Sequence, residues 1–362
     1  MLQQNRLMRR MAVYCFVFVA TAMGVMLYYS ANKIIVVADV AQDEVVHAVQ
    51  DNGESKAAED KNSITLDSSN RAGLNTNYFC IPMPESVRVE EVTIENHYMD
   101  RELWVSIEPK EMDGLAEFYE ENRVYGNCKN VLGGHFDVEK NRLCLQFKLT
   151  DVYEYHSIFE DNTLYVEFVA PKEVYDKIIV IDPAYGMEET GVTVDGIKAK
   201  DITLKVAKAL KEKLDGTDVK VYYTRMDDSN PSAESRVKLA AATKADMLIR
   251  IEVGSAQSSK QYGTETVYNS RFFIPGFGSV ELADLLEREV VTSISGKANG
   301  LLEASEQDTV INDATVPVAA VKVGYLTNAQ EFILLQRDDY IQRIAEGIYQ
   351  AVVKAYDAKM PQ

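Results

Sequence analysis

The second half of the sequence lacks the side chains that most metal-dependent hydrolases use. Beyond His156 the chain contains no histidine and no cysteine. A metal site in this half would need oxygen ligands alone, whereas zinc prefers nitrogen and sulfur. Asp182, Asp201 and Glu252 could supply carboxylates for a harder metal ion. The alternative is that Asp182 is a strand-end turn residue and that Asp201 is a carboxylate favoured at a helix N-terminus.

Covalent catalysis has one further candidate. A serine nucleophile needs a positioned base, and without a histidine the pair of Ser255 with Lys322 is the option that remains. Gly276-Phe277-Gly278 is a lone GxG sequence in a predicted loop, and it does not match the glycine-rich loops that bind phosphates. Neither pattern predicts a definite enzyme class.

The elements that must position these residues alternate between strands and helices from Lys172 onward. The continuous apolar run 178–181 predicts a strand that is buried on both faces. Helical spacing of apolar residues follows at 201–214. Further strands are predicted at 219–223, 246–253 and 316–323, and further helices at 236–244, 280–293 and 338–356.

We therefore predict an α/β domain over residues 172–362, with a largely parallel sheet and helices on both faces. The active sites of such sheets lie beyond the carboxyl ends of the strands. The segments 182–201, 250–256 and 322–328 are therefore where a site is expected.

Residues 63–171 show a different pattern, in which apolar and polar residues alternate. Leu103, Val105 and Ile107 are one example, and this period of two is typical of half-buried strands. The pattern predicts a small, mostly β domain, either a sandwich or an open barrel. The histidines of this region have no metal-ligand spacing.

The N-terminal region predicts a membrane anchor. Residues 11–29 carry no charge, and Arg6, Arg9 and Arg10 precede them. We predict a cytoplasmic tail at 1–10, a transmembrane helix at 11–30, a linker at 31–62 and extracytoplasmic domains beyond it, in the cell membrane. The alternative is a cleaved signal peptide, and on either prediction the rest of the chain is exported.

Composition narrows the class of ligand. Apolar residues make up 46% of the 362-residue chain, which is enough for a sizeable core, and the formal net charge is −18. Such a surface repels nucleic acid and anionic lipid, so neither is expected as a ligand. Cys80, Cys128 and Cys144 are either buried thiols or include one disulfide.

Several short motifs of the C-terminal half occur in the order and spacing of a known family. Together they resemble the zinc-dependent N-acetylmuramoyl-L-alanine amidases of bacterial cell walls over about residues 177–356. The motifs are Ile178-Ile179-Val180-Ile181-Asp182-Pro183-x-x-Gly186, Lys200-Asp201-x-x-Leu204, Tyr223-Thr224-Arg225-x-Asp227, Arg236-x-x-x-Ala240, Gly263-Thr264-Glu265-Thr266 and Gly324-Tyr325-Leu326-Thr327-Asn328-x-x-Glu331.

The resemblance implies a zinc ion held by two histidines and a glutamate, with a second glutamate as general base. The positions that match these four residues are Tyr185 and Ala199 in the first part of the domain, then Glu252 and Lys322. None keeps the residue type of the family. We therefore expect no metal ligand, no zinc cofactor and no catalytic residue at these positions.

The substitutions suggest what replaces the metal. We expect a contact between Glu252 and Lys322, with the Tyr185 hydroxyl nearby, because unpaired buried charges are costly. The alternative is that both charges face solvent at the mouth of the cleft. The candidate cleft and binding residues are Asp182, Tyr185, Arg250, Glu252, Lys322 and Asn328.

The resemblance implies a role in the cell wall. The chain is expected to be a membrane-anchored amidase-like protein without catalytic activity that binds peptidoglycan or regulates wall remodelling, with peptidoglycan or cell-wall assembly and division proteins as partners. The alternative is an active amidase with a non-standard site. The middle domain distantly resembles the β-rich modules that precede such amidases and bind the wall or its assembly machinery.

Overall fold

The computed structural model describes residues 62–68, 77–271 and 274–359. The predicted tail, transmembrane helix and most of the linker lie outside these residues. Within the described part of the chain, no helix is both long enough and apolar enough to cross a membrane.

The first half of the described chain consists mainly of strands, joined by turns, one 3₁₀ helix (Val89–Glu91) and one α-helix of seven residues. Its elements are β1 (Ser63–Ile64), β2 (Leu66–Asp67), β3 (Phe79–Pro82), β4 (Val92–His97), β5 (Glu102–Ile107), α1 (Leu115–Glu121), β6 (Val124–Gly126), β7 (Val131–Glu139), β8 (Arg142–Leu149), β9 (Glu154–Glu160) and β10 (Thr163–Val169).

These strands form two five-stranded sheets, in the orders β1-β7-β8-β5-β4 and β2-β6-β3-β10-β9. Alternate side chains of both sheets point into one shared core, where Val105 and Phe147 of the first sheet meet Phe79 and Leu164 of the second. The arrangement is a β-sandwich, as expected when two half-polar sheets bury their apolar faces against each other. Cys80, Cys128 and Cys144 are buried thiols that no disulfide joins.

The second half alternates strands with helices. Its strands are β11 (Ile178–Pro183), β12 (Thr193–Val194), β13 (Ile197–Lys198), β14 (Lys220–Tyr223), β15 (Met247–Gly254), β16 (Thr264–Tyr268), β17 (Ala298–Glu303) and β18 (Val318–Tyr325). Its helices are α2 (Pro171–Val174), α3 (Ala199–Leu214), α4 (Ala233–Ala242), α5 (Ser279–Ile294), α6 (Thr309–Asp313), α7 (Ala329–Leu334) and α8 (Asp338–Lys359).

Six of the strands form one mixed sheet in the order β14-β11-β15-β18-β16-β17. All neighbouring pairs are parallel except β16 with β18, which are antiparallel. Helices α3, α5 and α8 cover one face, and α4 and α6 lie on the other. The predicted α/β fold is confirmed, with a mixed sheet.

The two faces of the sheet follow from the alternation of side chains along each strand. On β11, Ile179 and Ile181 belong to the core beneath α3, α5 and α8, whereas Ile178 and Val180 belong to the core beneath α4 and α6. All of them are fully buried, because helices cover both faces. Asp182, two residues beyond Val180, therefore lies on the α4 face.

Candidate functional site

Polar side chains gather on the α4 face of the sheet, near the carboxyl ends of β11, β15 and β18. The strand register places Asp182 beside Arg250, and Glu252 beside Lys322. On the antiparallel side, Lys322 is paired in register with Glu265 of β16. The topology therefore brings the predicted cleft residues of three separate segments into one row.

Asp182 anchors this row from a fully buried position. One carboxylate oxygen accepts hydrogen bonds from Arg236 of α4 and, at 2.5 Å, from the Thr224 hydroxyl. The other oxygen accepts from Arg250. Burial alone would raise the pKa of Asp182, but the charges of Arg250 and Arg236 outweigh it and hold the pKa at about 2. Asp182 is thus a permanently ionised structural carboxylate.

The row continues through two more ion pairs. Arg250 Nε lies 2.7 Å from Glu252 Oε1, and Lys322 Nζ lies 2.8 Å from Glu265 Oε1. Glu265 Oε2 also accepts a hydrogen bond from the Tyr325 hydroxyl at 3.1 Å. We call the six alternating charges the charged row, which consists of Arg236, Asp182, Arg250, Glu252, Lys322 and Glu265.

Glu252 and Lys322, for which a contact was predicted, form ion pairs with other residues, although the charge of Glu252 helps to raise the pKa of Lys322. The two residues are neighbours in register, but Glu252 pairs with Arg250 and Lys322 with Glu265. Arg250 carries a guanidinium that reaches two carboxylates at once, which the shorter, point-like ammonium of lysine cannot do as well. Burial lowers the pKa of Lys322, yet its hydrogen bond to Glu265 outweighs this, so the pKa lies above its ordinary value and the ammonium persists.

Tyr185 and Ala199 both lie against Gly191. Tyr185 has φ +69°, an uncommon conformation for a non-glycine residue, and its ring lies over Gly191. A Cβ placed on Gly191 would be 2.6 Å from Tyr185 Cε2 and 2.9 Å from Ala199 Cβ. Burial raises the pKa of Tyr185 to about 12, with a further contribution from Glu252. The ring therefore fills space beside Ala199 as a neutral phenol.

Two buried arginines shape the loop that carries Tyr185. Arg225 donates to the backbone oxygens of Pro183 and Ala184, each at 2.9 Å. Arg236 donates to the backbone oxygen of Tyr185 at 3.2 Å. Backbone carbonyls that bend away from regular structure need such donors when they are buried. The motif residues Arg225 and Arg236 thus fix the cleft wall.

Three sequence candidates have structural positions outside the charged row. Asn328 is the N-cap of α7, where its side chain accepts hydrogen bonds from the backbone N–H groups of Gln330 and Glu331. Asp201 is exposed in the first turn of α3. Ser255 is exposed after β15. A carboxylate metal site that includes Asp182 does not fit, because two guanidinium groups already hold its oxygens.

The residues at the four family positions do not fit a catalytic zinc ion, which takes three protein ligands and an open position. Ala199 offers no donor atom, and Lys322 is a protonated ammonium in an ion pair. Glu252 already accepts from Arg250 at 2.7 Å. Tyr185 would have to lose a proton that its raised pKa retains. No metal-dependent step can be derived from this set of side chains.

Sequence reasoning missed two members of the charged row, Glu265 and Arg236. Both belong to motifs that were recognised for the fold, Gly263-Thr264-Glu265-Thr266 and Arg236-x-x-x-Ala240. The pairing of β16 with β18, which brings Glu265 to Lys322, joins strands that are not consecutive in the chain. The unusual charge of Lys322 was the signal that a nearby carboxylate had to exist.

Comparison with known proteins concerns the second half of the chain. Residues 179–354 match the sequence model of a family described as N-acetylmuramoyl-L-alanine amidase. The uncharacterised protein YqiI of Bacillus subtilis is 29% identical over 188 residues, which cover 52% of this chain and 89% of YqiI. The N-acetylmuramoyl-L-alanine amidase LytC of the same organism is 26% identical over 183 residues, which cover 51% of this chain but 36% of LytC.

Among solved structures, an N-acetylmuramoyl-L-alanine amidase from Clostridium difficile 630 is similar. It has 28% sequence identity and a TM-score of 0.48, and the match covers 51% of this chain and 98% of that one.

Proposed function

We propose that this chain, whose residues 179–354 match the sequence model of the N-acetylmuramoyl-L-alanine amidase family, is a membrane-anchored extracytoplasmic protein that binds peptidoglycan, or regulates its remodelling, without hydrolysing it. One observation carries the proposal. At the position that matches the family's general base, the structure has the Lys322 ammonium held 2.8 Å from the Glu265 carboxylate.

Hydrolysis of an amide needs an activated water molecule and a base that accepts its proton. A protonated lysine cannot accept a proton, and its pKa is raised by Glu265. The carboxylates of the charged row are all engaged by cations: Asp182 and Glu252 by Arg250, and Glu265 by Lys322. Water in this cleft therefore remains a weak nucleophile.

The ordered surroundings of the charged row support a binding role. Arg225 and Arg236 hold the carbonyls of the loop 183–185. On the opposite wall, the buried Glu331 accepts hydrogen bonds from the backbone N–H groups of Tyr325 at 2.7 Å and Gly263 at 3.0 Å. The side chain of Lys322 is 27% exposed, so its ammonium can also meet a ligand carboxylate, such as those of wall peptides.

The first experiment tests for hydrolysis. The purified extracytoplasmic part is incubated with purified peptidoglycan and added zinc, and newly freed alanine amino groups are measured beside an active amidase as positive control. We expect no release above the protein-free blank. Release that a chelator abolishes would instead establish the alternative, an active amidase with a non-standard site.

A second experiment tests binding through the cleft. The wild-type protein should co-sediment with insoluble peptidoglycan, and Lys322→Ala should lower the bound fraction several-fold, whereas Lys322→Arg should retain binding. Lys238→Ala is the matched control, because Lys238 is 66% exposed on α4 and, among the described residues, pairs with its helical neighbour Glu234. Equal sedimentation of the Lys322→Ala and Lys238→Ala proteins would show that the cleft does not bind the wall.

A further inference from the structure

Strand β14, at the edge of the six-stranded sheet, contacts the β-sandwich. The N–H groups of Lys220 and of Thr224, the residue after β14, donate to the backbone oxygens of Lys177 and Ile181, on the side of β11. Backbone groups alternate along a strand, so the N–H and C=O groups of Tyr223 point outward. No strand of the described residues pairs with this outer side, and an open edge of this kind normally needs protection.

A single hydroxyl from the β-sandwich satisfies both outward groups. Tyr98, in the turn between β4 and β5, donates to the Tyr223 backbone oxygen at 3.0 Å and accepts from the Tyr223 N–H at 3.1 Å. Its ring packs edge-on against Tyr222, with the ring centroids 5.1 Å apart. Burial raises the pKa of Tyr98 to about 12, so the hydroxyl keeps its proton. Tyr98 thus makes the two backbone hydrogen bonds that a residue of a neighbouring strand would make.

A second contact lies next to the first. Glu154, the first residue of β9, accepts a hydrogen bond from the Tyr222 hydroxyl and lies 3.1 Å from Lys220 Nζ. Nearby, Val152 is 4% exposed and belongs to the same core as Ile178 on the α4 face of the sheet. We call this contact between the β-sandwich and the edge of the sheet the joint. It combines apolar packing, an ion pair and hydrogen bonds to the backbone.

The residues that follow Tyr223 reach the cleft. Thr224 donates to Asp182 of the charged row, and Arg225 holds the carbonyls of Pro183 and Ala184. The backbone that the β-sandwich holds is thus adjacent to two side chains that shape the cleft wall.

We propose that the β-sandwich holds the cleft in position, and that Tyr98 and Glu154 are the positioning residues through which it does so. They hold β14 at its outer edge and so fix where Thr224 and Arg225 place the loop 183–186. The two halves are then one mechanical unit and not modules on a flexible tether. The proposal does not depend on whether the cleft binds or cleaves peptidoglycan.

Hydrogen exchange on the full chain tests the joint. Tyr98→Phe keeps the ring but removes both bonds to Tyr223. Because a neutral hydrogen bond contributes about 1 kcal/mol and two are lost, exchange in segments 220–225 and 183–186 should accelerate by about ten- to thirtyfold. Glu154→Gln, which removes the charge beside Lys220, should accelerate the same segments to a smaller extent.

Tyr119→Phe is the matched control for these variants. Tyr119 is a fully buried tyrosine of the β-sandwich, whereas Tyr98 is partly buried. Among the described residues the Tyr119 hydroxyl bonds inside that half, to Pro82 at 3.1 Å and to Met83. It should leave segments 220–225 and 183–186 unchanged. The proposal is overturned if neither Tyr98→Phe nor Glu154→Gln accelerates these segments, or if the acceleration is uniform over all elements, which would indicate a general loss of stability.

Discussion

Asp182 shows how one buried carboxylate can hold two arginines from different elements. It lies near the carboxyl end of β11, and its two oxygens pair with Arg236 and Arg250. A buried charge of this kind is tolerated only because its partners are in place. The residue type could be anticipated from the Asp-Pro motif, but its partners could not, because they come from α4 and β15.

Substitution of Asp182 should therefore be costly. Asp182→Asn leaves two buried guanidinium groups short of a counter-charge, and we expect a loss of about 3–5 kcal/mol in the free energy of unfolding, measured by urea titration. The control is Asp218→Asn, because Asp218 is an exposed partner of Lys177. It should leave the midpoint unchanged, and a similar loss in both variants would contradict a special role for Asp182.

The same residue predicts a pH dependence. Its pKa is about 2 in the folded protein and 3.8 in its ordinary state, so its ionisation favours the folded state above pH 4. This contribution, about 2 kcal/mol, is lost as the pH falls towards 2. The stability gap between wild type and Asp182→Asn should accordingly narrow between pH 5 and pH 2.5. A gap that stays constant in urea titrations over this range would show that Asp182 does not titrate as stated.

At the scale of elements, the sequence predicted what apolar periodicity can encode. The run at Ile178–Ile181 and the helical spacing at 201–214 correspond to β11 and α3. Edge strand β17 (Ala298–Glu303) was not predicted, because half of its residues are exposed and it contains Asn299-Gly300. The two-residue strands β12 and β13 are too short to show any period.

The loop after β11 is the element on which the cleft depends most. Gly186 has φ +151°, and a Cβ there would lie 2.1 Å from the backbone oxygen of Ser229. Gly186→Ala should therefore lower the melting temperature by more than backbone strain alone would, because the new Cβ would overlap the Ser229 oxygen. Gly196→Ala is the control, because Gly196 has φ +82° with open space around it and should cost only about 1 kcal/mol. Equal effects would argue against the contact.

At the scale of the whole molecule, the predicted membrane anchor lies in residues outside the described structure and stays a prediction. The full-length protein should remain with membranes after a high-salt and alkaline wash, because the uncharged run of residues 11–29 is long enough to span the hydrocarbon core. A chain that begins at residue 31 should be released. Release of the full-length protein by the same wash would contradict the anchor and favour a cleaved signal.

The charged row has a further consequence for how a ligand would arrive and leave. Its three cations and three anions cancel, in a chain whose formal net charge is −18. A polyanionic glycan is therefore repelled at long range but meets an electrically balanced groove at contact. Raising the ionic strength screens the repulsion and leaves short-range contacts nearly intact. Salt should thus speed the association of such a polymer with the charged row and change its residence time little. The local ion concentration would then govern how quickly the polymer binds.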